Sequence, residues 1–160
     1  MRLISYDNHG CAAIGVVKAA DATEFVDLGA AGFAHATDMT ALLAAPGALA
    51  AAKAAADKAG AGAVKPLEGI HYLPVVPRPP KIVCLGLNYA DHAKEGGHAK
   101  PEYPSFFMRG PTSQVGHLQP IVRPRASTQL DYEAELALII GARARHLTKD
   151  NALAGVAGYS

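Results

Sequence analysis

The polar and apolar positions of this chain alternate most clearly over Leu130–Gly141, which reads L-D-Y-E-A-E-L-A-L-I-I-G. The period is two, so the stretch predicts one long β-strand. Side chains of a strand point to alternate faces. Tyr132, Ala134, Leu136, Leu138 and Ile140 then share an apolar face. Asp131, Glu133, Glu135, Ala137, Ile139 and Gly141 share the other, which starts acidic and turns apolar. A solvated face would stay polar along its length; this one runs from water into a core.

The same patterns organise the rest of the chain. Arg2–Tyr6 and Cys11–Val17 flank Asp7-Asn8-His9-Gly10, whose glycine suits a positive-φ turn. They predict a hairpin, with Glu24–Leu28 as a third strand. Asp38 stands where it can cap a helix through Leu42 and Leu43. Pro46 can begin a second helix, which crosses an alanine-rich stretch and ends near Gly60. Alanine favours helix but offers little to grip, so this reads as a surface helix of a small accessory domain. Pro74, Pro77, Pro79 and Pro80 make a stiff extended connector. It places a boundary between a small N-terminal α/β domain, residues 1–78, and a second domain over residues 79–160. There Lys81–Leu87 predicts a buried strand, Asn88–Gly97 a loop or short helical turn, and Ser105–Met108 another strand. Val115–Pro124 predicts a short hairpin around Gly116. After the acidic strand, Arg143, Arg145 and His146 form a basic turn and Thr148 caps a short helix to Leu153. Gly155–Ser160 begins a strand and resembles the middle of a fold, so the second domain is expected to be truncated here.

Composition narrows the classes. The 160 residues suit one domain, or one domain and part of another, and half of them are hydrophobic. A net charge of +1 gives no reason to expect nucleic acid or an anionic membrane as partner. Cys11 and Cys84 lie far apart and form no metal or redox motif, which suits reduced thiols in a cytoplasmic protein. Tyr6, Asp7, Asn8 and His9 interrupt any signal-peptide core, and no apolar run approaches the ~18 residues of a membrane span.

Two clusters carry candidate chemistry. On the predicted strand, the Cα atoms of Glu133 and Glu135 are roughly 6–7 Å apart at about 3.3 Å per residue. Carboxylates that close repel, more so when partly buried. Either the strand begins in solvent, or one carboxyl is protonated, or a cation sits between them; hard cations such as Mg²⁺ and Mn²⁺ take oxygen ligands. On a helical turn His92 and Glu95 are neighbours at i, i+3. A carboxylate beside an imidazole orients it and raises its basicity, as a general base needs. A solvated surface turn carries the same pair. Other sites are excluded by spacing. Gly86-Leu87-Asn88 lacks the G-x-G-x-x-G of a dinucleotide loop, and Gly60-Ala61-Gly62 follows a helix. The seven histidines show no zinc spacing, and no G-x-S-x-G is present.

Four stretches taken together resemble the fumarylacetoacetate hydrolase family, in its branch of bacterial isomerases, hydratases and acylpyruvate hydrolases. They are K-I-V-C-L-G-L-N-Y-A-D-H-A-K-E (81–95), P-S-F-F-M-R-G-P-T-S-Q-V-G (104–116), L-D-Y-E-A-E-L-A-L-I-I-G (130–141) and V-A-G-Y (156–159). The resemblance is strong over 81–160 and loose over 1–80. It implies an α+β, mostly β fold, a mixed β-sandwich rolled into a barrel-like shape and incomplete here. It implies Mg²⁺ or Mn²⁺ held by Glu133, Glu135 and a later aspartate that this sequence does not contain. Carried over from the family, His92 and Glu95 form the catalytic dyad, and Arg109 and Tyr89 line the substrate pocket. A homodimer is expected, as in relatives.

The implied substrate is a 2,4-dioxo acid of the acylpyruvate or fumarylacetoacetate kind. His92, oriented by Glu95, would take a proton from the water that attacks the distal carbonyl, and carbon–carbon cleavage would leave an enolate that the metal stabilises. Isomerases and decarboxylases of oxo-dienoates use the same enolate and are the alternative. A non-catalytic remnant lacking the third ligand is the reading from a different class.

Overall fold

The N-terminal hairpin forms where the apolar runs predict it. In the computed structural model, which describes residues 1–99, 101–130 and 135–160, β1 (Arg2–Asn8) pairs antiparallel with β2 (Cys11–Val17). Asn8 faces Cys11, leaving the two-residue loop His9-Gly10. Both loop residues have positive φ, 54° and 85°, the combination that matches the twist of a tight hairpin. The Asp7 carboxylate accepts the Gly10 N–H at 2.8 Å and holds the turn.

The chain divides into two compact units, Met1–Pro77 with Val115–Ser160, and Arg78–Gln114. In the first, β3 (Glu24–Asp27) pairs with β2, the helices α1 (Met39–Ala44) and α2 (Ala48–Lys58) follow, and β4 (Val64–Pro66) returns to β3. The sheet order is β1-β2-β3-β4. Period two sorts its side chains. Ile14, Val16, Val26 and Leu28 belong to a core completed by Met39 and Leu42 of α1 and the alanines of α2. Tyr6, Ala13, Val17 and Phe25 belong to a second, smaller cluster. Asp38 caps α1 as expected, accepting from the N–H groups of Thr40 and Ala41. The alanine-rich helix departs from expectation. Ala48, Ala52 and Ala56, one face at i, i+4, i+8, are buried in the core rather than lying loosely on a surface. Small side chains let the helix approach the sheet closely.

The polar centre of this unit is Asp27, 4% exposed. Its Oδ1 accepts the N–H groups of Gly29 and Ala30 at 2.8 and 3.2 Å, and its Oδ2 meets Lys65 Nζ of β4 at 2.5 Å. Burial pushes the Asp27 carboxyl up, but Lys65 and the Ala30 N–H outweigh it and hold the group below its usual range. Lys65 is raised by its bond to Asp27. Tyr6 is pushed up to about 12, by burial first and by the neighbouring Asp27 second. Its ring meets Phe25 edge-on at 4.9 Å.

In the second unit β5 (Ile82–Gly86) is followed by α3 (Ala90–Glu95) and by β6 (Ser105–Arg109), which pairs antiparallel with β5. The expected buried strand is only half-covered. Val83, Leu85, Phe106 and Met108 share one face of this ladder and are exposed. A two-stranded ribbon has no third layer of its own to cover both faces.

Back in the first unit, β7 (Leu138–Ile140) pairs with β8 (Val156–Tyr159), and Ala137 exchanges two backbone hydrogen bonds with Ser160. The long strand expected over 130–141 is therefore realised at its C-terminal end. Its Asp131–Ala134 portion lies outside the described residues. As expected, the face that starts acidic runs into the core, with Ile139 packed against the main cluster, whereas the wholly apolar face is exposed at Leu136, Leu138 and Ile140. The hairpin expected over Val115–Pro124 is a single turn, closed by Gln119 N–H to Gly116 C=O at 3.0 Å. Pro120 and Pro124 supply no N–H for a strand ladder. Thr148 caps no α-helix. Its N–H donates to Asn151 Oδ1 in a turn that leads into a 3₁₀ segment, Ala152–Gly155. The fold is α+β with short strands, as the resemblance implied, and no closed barrel forms among the described residues.

Two outcomes follow from these contacts. A Cβ at Gly116 would overlap the Tyr72 carbonyl, which backbone cannot yield cheaply. Gly116→Ala should destabilise the first unit by about 1–3 kcal/mol, read as a lower urea midpoint at unchanged slope. Asp27 has a folded-state pKa below its unfolded value of 3.8. Its contribution is complete above that unfolded value and is lost as pH falls through the folded one. Urea midpoints between neutral pH and pH 2 should fall over that window, and Asp27→Asn should flatten that part of the profile.

Candidate functional site

The sequence candidates divide between the two units. Tyr89, His92, Glu95 and Arg109 belong to the second, and Glu135 to the first. Glu133 lies outside the described residues. Glu135 is exposed just before β7. Among the described residues no three His, Cys, Asp or Glu side chains cluster to hold a metal ion. The fit of a metal therefore rests on donor chemistry. Glu135 offers carboxylate oxygens of the kind Mg²⁺ and Mn²⁺ take, and Glu133 would add more.

The sequence makes α3 short and well terminated. Tyr89 occupies the N-cap in extended conformation and has no side-chain cap bond. Its carbonyl accepts the Ala93 N–H at 3.0 Å. At the other end Gly97 takes φ 69°. The His98 N–H reaches the Ala93 carbonyl at 2.8 Å and the Gly97 N–H reaches the Lys94 carbonyl at 3.1 Å. These two bonds are a Schellman motif, and Gly97 is its left-handed residue. The expected loop or helical turn over Asn88–Gly97 is thus a helix with a built stop. His92 and Glu95 are both exposed and, three residues apart, share one side of it. Arg109 ends β6, its guanidinium 5.7 Å from the Phe107 ring centre.

Between α3 and the loop to β6 lies an open cavity of about 760 Å³. Asn88, Lys94, His98, Glu102 and Tyr103 contribute its polar side chains. None of the residues expected from the sequence lines it. The signal that could have pointed to His98 is the glycine pair Gly96-Gly97, which turns the chain back over the helix end.

Leu87 leads into the helix at φ 52°, a left-handed conformation that a branched side chain rarely adopts. Strain of this kind persists where surrounding structure over-determines it. Here only three residues, Leu87, Asn88 and Tyr89, join β5 to α3.

A family model for the C-terminal domain of fumarylacetoacetate (FAA) hydrolase matches residues 81–160, half of the chain. The chain belongs to the fumarylacetoacetate hydrolase family. A fumarylacetoacetate hydrolase from psychrophilic Exiguobacterium antarcticum matches 99% of this chain and 53% of its own at 31% identity, with a TM-score of 0.71. A candidate HpcE protein from Mycobacterium smegmatis matches the same shares at 29% identity and a TM-score of 0.78. Human mitochondrial oxaloacetate tautomerase FAHD2A is 39% identical over 97 residues, 61% of this chain and 31% of its own length. An uncharacterized protein of Methanocaldococcus jannaschii is 43% identical over 83 residues, 52% of this chain and 35% of its own. The chain thus spans about a third of these curated relatives and about half of the solved ones.

The helix stop is open to test. Gly97→Ala forces a Cβ into the left-handed region at a cost of about 1–2 kcal/mol. The His98 amide should then exchange with solvent measurably faster than in the parent, while the amides of β1 and β2 should not change.

Proposed function

We propose that the protein acts on a 2-oxo acid through its enolate, as a divalent-metal-dependent hydrolase that cleaves a carbon–carbon bond of a 2,4-dioxo acid. The observation that carries this reading is α3. Within the family-matched segment, His92 and Glu95 stand on one side of a helix that directly follows β5. Glu133 and Glu135 would hold the cation, which would supply charge stabilisation for the developing enolate.

The chain's own groups do the proton work. Glu95, three residues from His92 on α3, would orient the imidazole. His92 accepts that proton from the attacking water and can return it to the carbon released as the bond breaks. Arg109 carries a permanent positive charge and would pair with the substrate carboxylate. Tyr89 would add a phenol hydrogen-bonding group for the substrate.

The relatives favour a second reading. Several are oxaloacetate tautomerases at 37–39% identity. Tautomerisation needs the same acid–base pair and no water. His92 would then move a proton between carbon and oxygen of an oxo acid, with no bond between carbons broken.

The test is turnover of an acylpyruvate and of oxaloacetate by the purified protein with Mg²⁺ or Mn²⁺. Metal-dependent loss of acylpyruvate absorbance is expected for the hydrolase, and faster enol–keto equilibration of oxaloacetate for the tautomerase. His92→Ala should lower kcat/KM about 10²–10⁴-fold and leave Mn²⁺ affinity unchanged. Glu135→Gln should weaken Mn²⁺ binding. An unchanged rate in His92→Ala would sink the role given to that residue.

A further inference from the structure

The cavity beside α3 has no part in the chemistry above, and its position on the helix explains why. Successive residues of a helix turn by about 100°. Ala90, Ala93 and Lys94 therefore fall on one side of α3, and His92 and Glu95 on the opposite side. The first group lines the cavity and the second does not. One short helix thus presents two separate surfaces.

We propose that this cavity is a binding site for a short monocarboxylic acid with an apolar chain. Its size, about 760 Å³, lies within the range of small-molecule pockets, roughly 300–1,000 Å³. Its floor is apolar, with Leu87, Ala90 and Ala93 among the lining residues, and Ala93 is buried. Among the described residues its cationic groups come from one place, the end of α3. Lys94 lies in the last turn. His98 follows directly after the Schellman glycine, and its amide is fixed to Ala93. The His98 ring rests against Gly96, where an added Cβ would lie 2.9 Å from Cδ2. Only glycine at position 96 leaves the ring in this place. An ammonium and an imidazole N–H donor together suit one carboxylate.

Glu102 selects within that class. It lines the same cavity from the loop before β6. A ligand with a second carboxylate would bring another negative charge into a cavity that already holds this one, and like charges in a confined site are costly. The site therefore favours a monoacid over a diacid of the same length. The inference is independent of the proposed hydrolase or tautomerase reading, because it needs neither metal nor turnover.

Hexanoate and adipate test it, titrated into the full chain with EDTA present and followed by amide chemical shifts. Hexanoate should give saturable shifts at residues 93–98, and adipate should bind at least about tenfold more weakly. Lys94→Met should weaken hexanoate binding about tenfold, equivalent to about 1.4 kcal/mol. Gly96→Ala, which displaces the His98 ring, should weaken it as well. Glu102→Gln should remove the preference for hexanoate over adipate. His92→Ala should change none of these values. Absence of saturable shifts with hexanoate, binding unaltered by both Lys94→Met and Gly96→Ala, or equal loss in His92→Ala would overturn the proposal.

Discussion

The Asp27 carboxylate is the contact on which the N-terminal sheet depends. One oxygen closes the turn that leaves β3, and the other holds Lys65 on β4. A buried carboxylate is stable in the folded chain only when its charge is met and its lone pairs are used. The lone pairs are used by the nearby Gly29 and Ala30 N–H groups, and the charge is met by Lys65, far away in sequence. Strand β4 is three residues long and pairs with β3 alone. The Lys65–Asp27 bond adds a side-chain tie to this short edge strand. On the same cluster of the sheet Tyr6 and Phe25 pack edge to face, so the polar tie and the smaller core stand or fall together.

The second unit solves a different problem. A six-residue helix is too short to hold itself together in water. Here the ends do the work. Leu87 takes a left-handed conformation before the helix, and the Schellman bonds from Gly97 and His98 close the far end. Between those stops, every side chain has a fixed bearing. That is why the His92–Glu95 side and the Lys94 side of one helix can serve different chemistry.

Much of this was legible from residue order. The β1–β2 hairpin, the cap at Asp38 and the strand at Ser105–Arg109 all rest on local signals: alternation, a glycine at a turn, a short acceptor before a helix. Membership of the fumarylacetoacetate hydrolase family was legible too, because its motifs occur in order over residues 81–160. Where reading failed, non-local packing was responsible. The alanines of α2 looked featureless because their value lies in how closely the sheet can approach them. Val115–Pro124 looked like a hairpin because its apolar residues suggested strands, and the prolines that deny it a ladder were given too little weight. At Leu138–Ile140 the alternation did show a face that runs into the core, met at Ile139, but not that Leu136, Leu138 and Ile140 on the wholly apolar face would be exposed.

The sequence by itself determined the local elements, the turn chemistry and the family, since these follow from neighbours a few residues apart. It also placed His92 and Glu95 on one side of a helix, because a spacing of three is enough to do so. Tertiary structure decided which groups meet across distance. It brought Lys65 to Asp27, seated Ala48, Ala52 and Ala56 in a core, and opened a cavity on the side of α3 away from His92 and Glu95. Those outcomes depend on how separate segments pack, and no window of sequence contains that information.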